Sequence, residues 1–258
     1  MNQWSINIHM NILISGCSFT QWPDHPGGPN ICWPRYLKEL CPNDNIVSVA
    51  EAAAGNQYIG DSIVRGVLKD RPDMVLVMWS GVSRLDYLTS LEDPAWEQLF
   101  DSYGFYRRLP EGGLGYIFSG GQMGTWFKHP VAHKMFNEMY KVSSKTSLAH
   151  INIMEIVKTQ NFLEAQGIPY KFMSYVNYWQ EGDHLSPNGD FGVTGIPQIK
   201  YLIDSVKFEN WIFADENKKC LYEFAKDLKD FMPDGFHPGA TAHTQWAELV
   251  KSEIESLR

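Results

Sequence analysis

Two short segments near opposite ends of the 258-residue chain carry the residue types of nucleophilic catalysis. Gly16-Cys17-Ser18-Phe19-Thr20 supplies a serine, and Asp234-Gly235-Phe236-His237-Pro238 supplies a histidine three residues after an aspartate. A serine hydroxyl is a weak nucleophile until a base takes its proton, and the base works best when a third group orients it. His237 is the candidate base for Ser18, and Asp234 is the candidate group that holds the imidazole in its productive tautomer. The chemistry would be attack on a carbonyl carbon through an acyl-serine, and it needs donors for the developing oxyanion. The backbone N–H groups of Ser18 and Gly55, together with Ser83, are the candidates; Asn56 and Arg84 stand beside them as further oxyanion or substrate-binding residues. Each has a plainer reading. Asp-x-x-His also fits a capped turn, Gly55 a turn glycine, Asn56 a helix cap, and Ser83-Arg84 a loop with a solvated charge.

For these segments to meet, the chain must fold so that one edge of a sheet presents them all. Three short apolar runs, Asn11–Ile14, Asn45–Val49 and Met74–Met78, behave like buried parallel strands. Helical patterns over Trp33–Leu40 and Tyr58–Lys69 separate them, the second with Ile59, Ile63, Val64 and Val67 on one face. Alternation of this kind implies right-handed crossovers and a parallel sheet, whose ligands bind beyond the carboxyl ends of the strands. Each candidate segment follows a strand or lies near the end of the chain. A long helix over Ser143–Gln166 buries Ala149, Ile153, Ile156 and Leu163, and Gly167-Ile168-Pro169 stops it. Beyond it the pattern predicts a fourth strand at Tyr170–Tyr175 and a polar loop over Gln180–Gly195. A short fifth strand near Trp211–Phe213 and helices over Lys218–Phe231 and Ala240–Leu257 follow. The aromatic, glycine-containing stretch from about 91 to 141 reads as an insertion or cap on a single domain spanning 1–258.

With these residues in view, the chain resembles the SGNH hydrolases, the GDSL-like lipases and esterases. Gly16-Cys17-Ser18 is similar to the family's first block, usually Gly-Asp-Ser, and Trp33-Pro34-Arg35-Tyr36-Leu37 to its continuation. Gly55 matches the glycine of the second block, and Asp234-Gly235-Phe236-His237-Pro238 the closing Asp-x-x-His-Pro. The likeness covers roughly 1–87 and 232–258. It implies a flavodoxin-like three-layer α/β/α sandwich around a central parallel sheet. It also implies hydrolysis of esters, O-acetylated carbohydrates among them, with no cofactor. Two positions depart from the pattern. Cys17 replaces an aspartate that lies outside the triad. Ser83 stands where the third block carries an asparagine whose amide donates to the oxyanion, which predicts a slower step. A chain that has lost turnover and binds glycan, or serves as a virion structural protein, is the alternative. The Gly-Cys-Ser-Phe-Thr start is similar to hydrolase-like proteins of tailed bacteriophages, which would make the protein virion-associated.

Composition narrows the partners. Thirty acidic residues against 22 basic ones give a formal charge of -8, and no Lys/Arg cluster tracks a phosphate backbone. Nucleic acid is therefore not the expected partner; a small-molecule or glycan ester is. Aromatic residues make up 14% of the chain, enough to line an acyl or sugar site. Cys17, Cys32, Cys41 and Cys220 form no CxxC pair and read as reduced thiols. The start lacks a basic region followed by a long apolar run, and no stretch is long enough to span a bilayer, so the expectation is a soluble cytoplasmic protein. His129 and His133 have the i,i+4 spacing of a metal site, but the glutamate of His-Glu-x-x-His is missing, and no metal is expected. His184 and His243 read as loop and surface residues.

Overall fold

The computed structural model describes residues 9–21, 31–90, 92, 106–110, 112–121 and 130–257. β1 (Asn11–Gly16), β2 (Asn45–Ser48), β3 (Met74–Trp79) and, later in the chain, β7 (Tyr170–Ser174) form a parallel sheet in the order β2-β1-β3-β7. The register pairs Ile12 with Ile46 on one side and with Met74 on the other, and Val75 with Tyr170. All six residues of β3 are buried, as a central strand covered on both faces requires. Between the strands run α1 (Trp33–Leu40) and α2 (Asn56–Asp70), and α4 (Lys145–Gln166) precedes β7. The chain closes with α5 (Lys200–Ile203), α6 (Leu221–Leu228) and α7 (Ala240–Glu255). α1 packs on α7 and α2 on α4, so two helical pairs flank the sheet. The strand order is the flavodoxin-like one, and its switch point falls between β1 and β3.

Local sequence explains several boundaries. Ser144 caps α4 by accepting the Ser147 N–H while Ser147 returns a bond to the Ser144 backbone, and Gly167, at φ 66°, ends the helix. The expected stripe of Ala149, Ile153, Ile156 and Leu163 is buried. On α2, Ile59, Ile63 and Val67 are buried while Val64 is only half-buried.

Three expectations need correction. The fifth strand near Trp211–Phe213 is a single parallel bridge between Phe172 and Trp211, preceded by a 3-10 turn at Phe208–Asn210. The helix expected from Lys218 begins at Leu221, where Cys220 and Glu223 supply its N-terminal hydrogen bonds. The stretch read as an insertion or cap from about 91 contributes regular structure: β6 (Leu114–Phe118) and β5 (Tyr106–Arg108) form an antiparallel sheet with β4 (Asp86–Ser90), followed by α3 (Pro130–Val142). That sheet starts at Asp86, ahead of the expected insertion, and residues 91, 93–105, 111 and 122–129 lie outside the described residues.

The loop between α6 and α7 carries Asp234 and His237, and its base is tied shut. Phe231 and Pro238 form an antiparallel bridge, Met232 N–H donates to the His237 carbonyl at 2.8 Å, and Gly239 N–H donates to the Asp230 carbonyl at 2.8 Å. The Asp230 carboxylate then accepts the Ala242 N–H at 2.7 Å. Gly239, the N-cap of α7, has no side chain to cap the helix, so Asp230 does it from the preceding loop. We expect Asp230→Ala to cost about 1 kcal/mol and to lower Tm by about 2–4 °C. Calorimetry with an unchanged Tm would show that the cap contributes nothing.

Candidate active site

The carboxyl end of β1 turns sharply at Cys17–Thr20, closed by the Thr20 N–H on the Cys17 carbonyl at 2.8 Å. Trp33 Nε1 donates to Thr20 Oγ1 at 3.3 Å, and the Glu51 N–H donates to the Gly16 carbonyl at 3.0 Å. The turn is therefore held from two sides, with Ser18 half-buried on it. His237 Nε2 lies 2.9 Å from Ser18 Oγ, and His237 Nδ1 lies 2.6 Å from Asp234 Oδ2. Asp234 Oδ1 accepts the N–H groups of Phe236 at 2.9 Å and His237 at 3.0 Å. Burial acts to raise the Asp234 pKa, but the His237 ring and the two backbone N–H groups outweigh it and hold it below the usual aspartate value. An ionised carboxylate only accepts, so His237 Nδ1 carries the proton and Nε2 is free to accept from the Ser18 hydroxyl. The His237 ring packs against Phe19 and Phe236 at centroid distances of 5.1 and 5.0 Å. Among the described residues nothing accepts from the Ser18 N–H.

The other expected donors are placed differently. Gly55 N–H donates at 2.8 Å to Asp86 Oδ1, and Tyr58 N–H at 2.9 Å to Asp86 Oδ2, so a buried carboxylate caps α2 and occupies the donor that sequence assigned to an oxyanion. A Cβ at position 55 would stand 2.8 Å from that carboxylate, so glycine there admits Asp86, not a substrate carbonyl. Asn56 is buried as well. Its Oδ1 accepts the Ser80 N–H at 2.8 Å and its Nδ2 donates to the Ser80 carbonyl at 3.4 Å. Ser83, 0% exposed, donates its hydroxyl to Asp190 Oδ1 at 2.7 Å. Asp190 comes from the polar loop after β7. It also accepts from Ser186 Oγ at 2.6 Å and from the Tyr175 hydroxyl, and it approaches Gly81 so closely that a Cβ there would stand 1.9 Å from Oδ1. Arg84 is not a solvated charge: it is 3% exposed and donates from Nη1 to the Ala54 carbonyl at 3.0 Å.

Sequence reasoning missed the acids that engage these groups, Asp86 and Asp190, and also Asn152 on α4. The Asn152 amide donates to the carbonyls of Val82 and Arg84 at 3.0 and 3.2 Å and so ties the segment after β3 to a helix. The one available signal was the acid two residues beyond Arg84. His243, expected at the surface, is 2% exposed on α7. Burial, with His237 nearby, pushes its pKa down to about 3, and its Nδ1 lacks a partner among the described residues. His184 lies on an exposed loop at φ 57°; His133 is exposed on α3, and its companion His129 lies outside the described residues. All four cysteines are free and buried, and no helix among the described residues is long and apolar enough to cross a membrane.

No family model and no curated protein matches the chain. Among solved structures, it is similar to a psychrotrophic esterase from Pseudoalteromonas sp. (10% identity, TM-score 0.48, covering 96% of this chain and 97% of that one). It is also similar to an acetylxylan esterase from Geobacillus stearothermophilus (13% identity, TM-score 0.46, covering 95% and 94%). Likeness at this level carries no argument about residues or substrate.

Two predictions follow from the buried acids. Burial raises the Asp86 pKa from 3.8 to about 6, against its two backbone hydrogen bonds and the Arg84 charge. Between those values the folded chain takes up a proton that the unfolded chain does not. Stability attributable to Asp86 is therefore greatest below pH ~4 and falls, by on the order of 3 kcal/mol, as pH rises through 6. Urea titrations of Asp86→Asn against the parent should lose that slope; parallel curves would refute the shift. Separately, Ser83→Ala strips a donor from a buried carboxylate and should cost about 1.5–3 kcal/mol of stability. If Ser83→Ala leaves the urea midpoint unchanged, Asp190 does not depend on that hydroxyl.

Proposed function

We propose that the protein is a serine ester hydrolase. Ser18 is its nucleophile, His237 its general base and acid, and Asp234 the group that orients the imidazole. The observation that carries this reading is the unbroken line from Ser18 Oγ to His237 Nε2 (2.9 Å) and from His237 Nδ1 to Asp234 Oδ2 (2.6 Å). As Ser18 attacks the ester carbonyl, its proton passes to Nε2, and Asp234 stabilises the imidazolium that forms. The same proton then goes to the departing alcohol, and water hydrolyses the acyl-serine by the reverse route. The unengaged Ser18 N–H is a donor for the oxyanion.

The substrate we favour is an O-acetylated carbohydrate. Phe236, against His237, lies 5.8 Å from Tyr222, which lies 5.6 Å from Phe231, and all three rings are half-buried. Half-buried aromatic rings beside the base suit the apolar face of a sugar. A second reading, a glycan-binding protein without turnover, is favoured by one observation: Gly55, Asn56 and Ser83 all spend their donors on protein groups.

A fluorophosphonate probe separates the two, because it reacts only with an activated serine. We expect the wild type to be labelled at Ser18. Ser18→Ala should abolish labelling and turnover of p-nitrophenyl acetate with Tm nearly unchanged, since a half-buried hydroxyl contributes little to packing. An unlabelled wild type would leave the binding reading in possession. Labelling that persists in Ser18→Ala would move the nucleophile elsewhere.

A further inference from the structure

One guanidinium joins the ends of three of the four parallel strands. Arg84 itself follows β3. Its Nη1 binds the Ala54 carbonyl beyond β2 at 3.0 Å, and its Cζ lies 5.4 Å from the centroid of the Tyr175 ring directly after β7. The Ala54 carbonyl belongs to the same peptide unit as the Gly55 N–H that Asp86 accepts, so Arg84 and Asp86 grip one peptide from its two sides. That peptide ends a short relay to the nucleophile. Ala54 N–H bonds to the Glu51 carbonyl at 3.2 Å, and Glu51 N–H to the Gly16 carbonyl at 3.0 Å. The Glu51 carboxylate also takes a bond from Gln21 Nε2 at 3.2 Å, on the far side of the serine turn. Tyr175 packs against Phe19 in a tilted ring contact at 4.6 Å, and Phe19 meets His237.

The charge itself is only partly answered. Among the described residues, Arg84 Nε is buried with no partner, and no carboxylate forms an ion pair with the guanidinium. Burial acts to lower its pKa, yet Cys17, Tyr175, Asp190 and Asp86 together raise it above the ordinary arginine value, so the cation persists. A buried guanidinium one aromatic ring, Tyr175, away from Phe19 on the Ser18 turn is a fixed positive charge whose field in a low-dielectric site would favour negative charge developing near that turn.

We propose that Arg84 is a positioning residue of the esterase reading given above: it fixes the Ser18 turn through the Ala54–Gly55 peptide, and its buried charge favours the oxyanion over the ground state. It stands in for the polar donor that Ser83, bound to Asp190, does not offer. Because it acts on the transition state, its removal lowers kcat and spares KM.

The test compares Arg84→Met, which keeps much of the shape, with Arg84→Lys, which keeps the charge. Each is assayed for p-nitrophenyl acetate kinetics, rate of fluorophosphonate labelling and circular dichroism. We expect the folded Met variant to lose about a hundredfold in kcat, with KM within about twofold and labelling slowed in parallel, and Lys to recover at least about tenfold. A folded Met variant that keeps its kcat, or loses only in KM, overturns the proposal. So does a Lys variant no better than Met. If Met does not fold, Lys decides: kcat within about tenfold of wild type supports the proposal, and a hundredfold loss overturns it. A wild type that takes no probe sinks the esterase reading and this proposal together, whereas a reactive wild type matched by Arg84→Met sinks this proposal alone.

Discussion

Three ionisable side chains, Arg84, Asp86 and Asp190, are buried where the parallel strands end, and burying a charge is costly unless hydrogen bonds replace its water. That requirement organises the neighbourhood. Asp86 consumes the Gly55 and Tyr58 N–H groups at the start of α2; Asp190 consumes the hydroxyls of Ser83, Ser186 and Tyr175; Arg84 takes the Ala54 carbonyl. Donors that a bare inspection would offer to a substrate are thus already spent. Gly55 and Gly81 lack side chains for the same reason, since each has a carboxylate where its Cβ would be. Chemistry at this edge is left to groups outside the network: the Ser18 hydroxyl and N–H, and His237.

This division explains what was legible in sequence. The four strands and the long helices are written in local apolar periodicity and in boundary residues such as Pro34, in the first turn of α1, and Gly167, which ends α4, so α1 falls on the expected Trp33–Leu40. β4 is different, because its short polar-rich run Asp86–Ser90 becomes a strand only by pairing with Leu114–Phe118. The Asp234–His237 contact is three residues long, and sequence carries it. The Ser83–Asp190 bond spans 107 positions and the Gly55–Asp86 bond 31, and which distant acid meets which donor is decided by tertiary packing. His243 failed for a related reason, since a polar residue early in an amphipathic helix can face either way until its neighbours are known.

The candidate triad therefore has two halves of different construction. Asp234 and His237 ride on one tight loop whose own backbone supplies two of the three bonds to the Asp234 carboxylate, with Asp230 securing its base to α7. Because that half is self-contained, it tolerates an Asp234 side chain 46% exposed to solvent. Ser18 has no such local support. Its turn is short and rests on Thr20, Trp33 and Glu51, and through Glu51 on the buried peptide held by Arg84 and Asp86. Disturbing the buried charges should thus displace the serine while leaving the Asp234–His237 bond intact, and disturbing Asp230 should do the reverse. The two halves meet across the 2.9 Å between Nε2 and Oγ and through the ring contacts of Phe19 with His237 and Phe236. On the proposed reading, the placement of Ser18 depends on charges that would not touch a substrate, so the sheet edge beneath the candidate nucleophile is polar where packing alone would make it apolar.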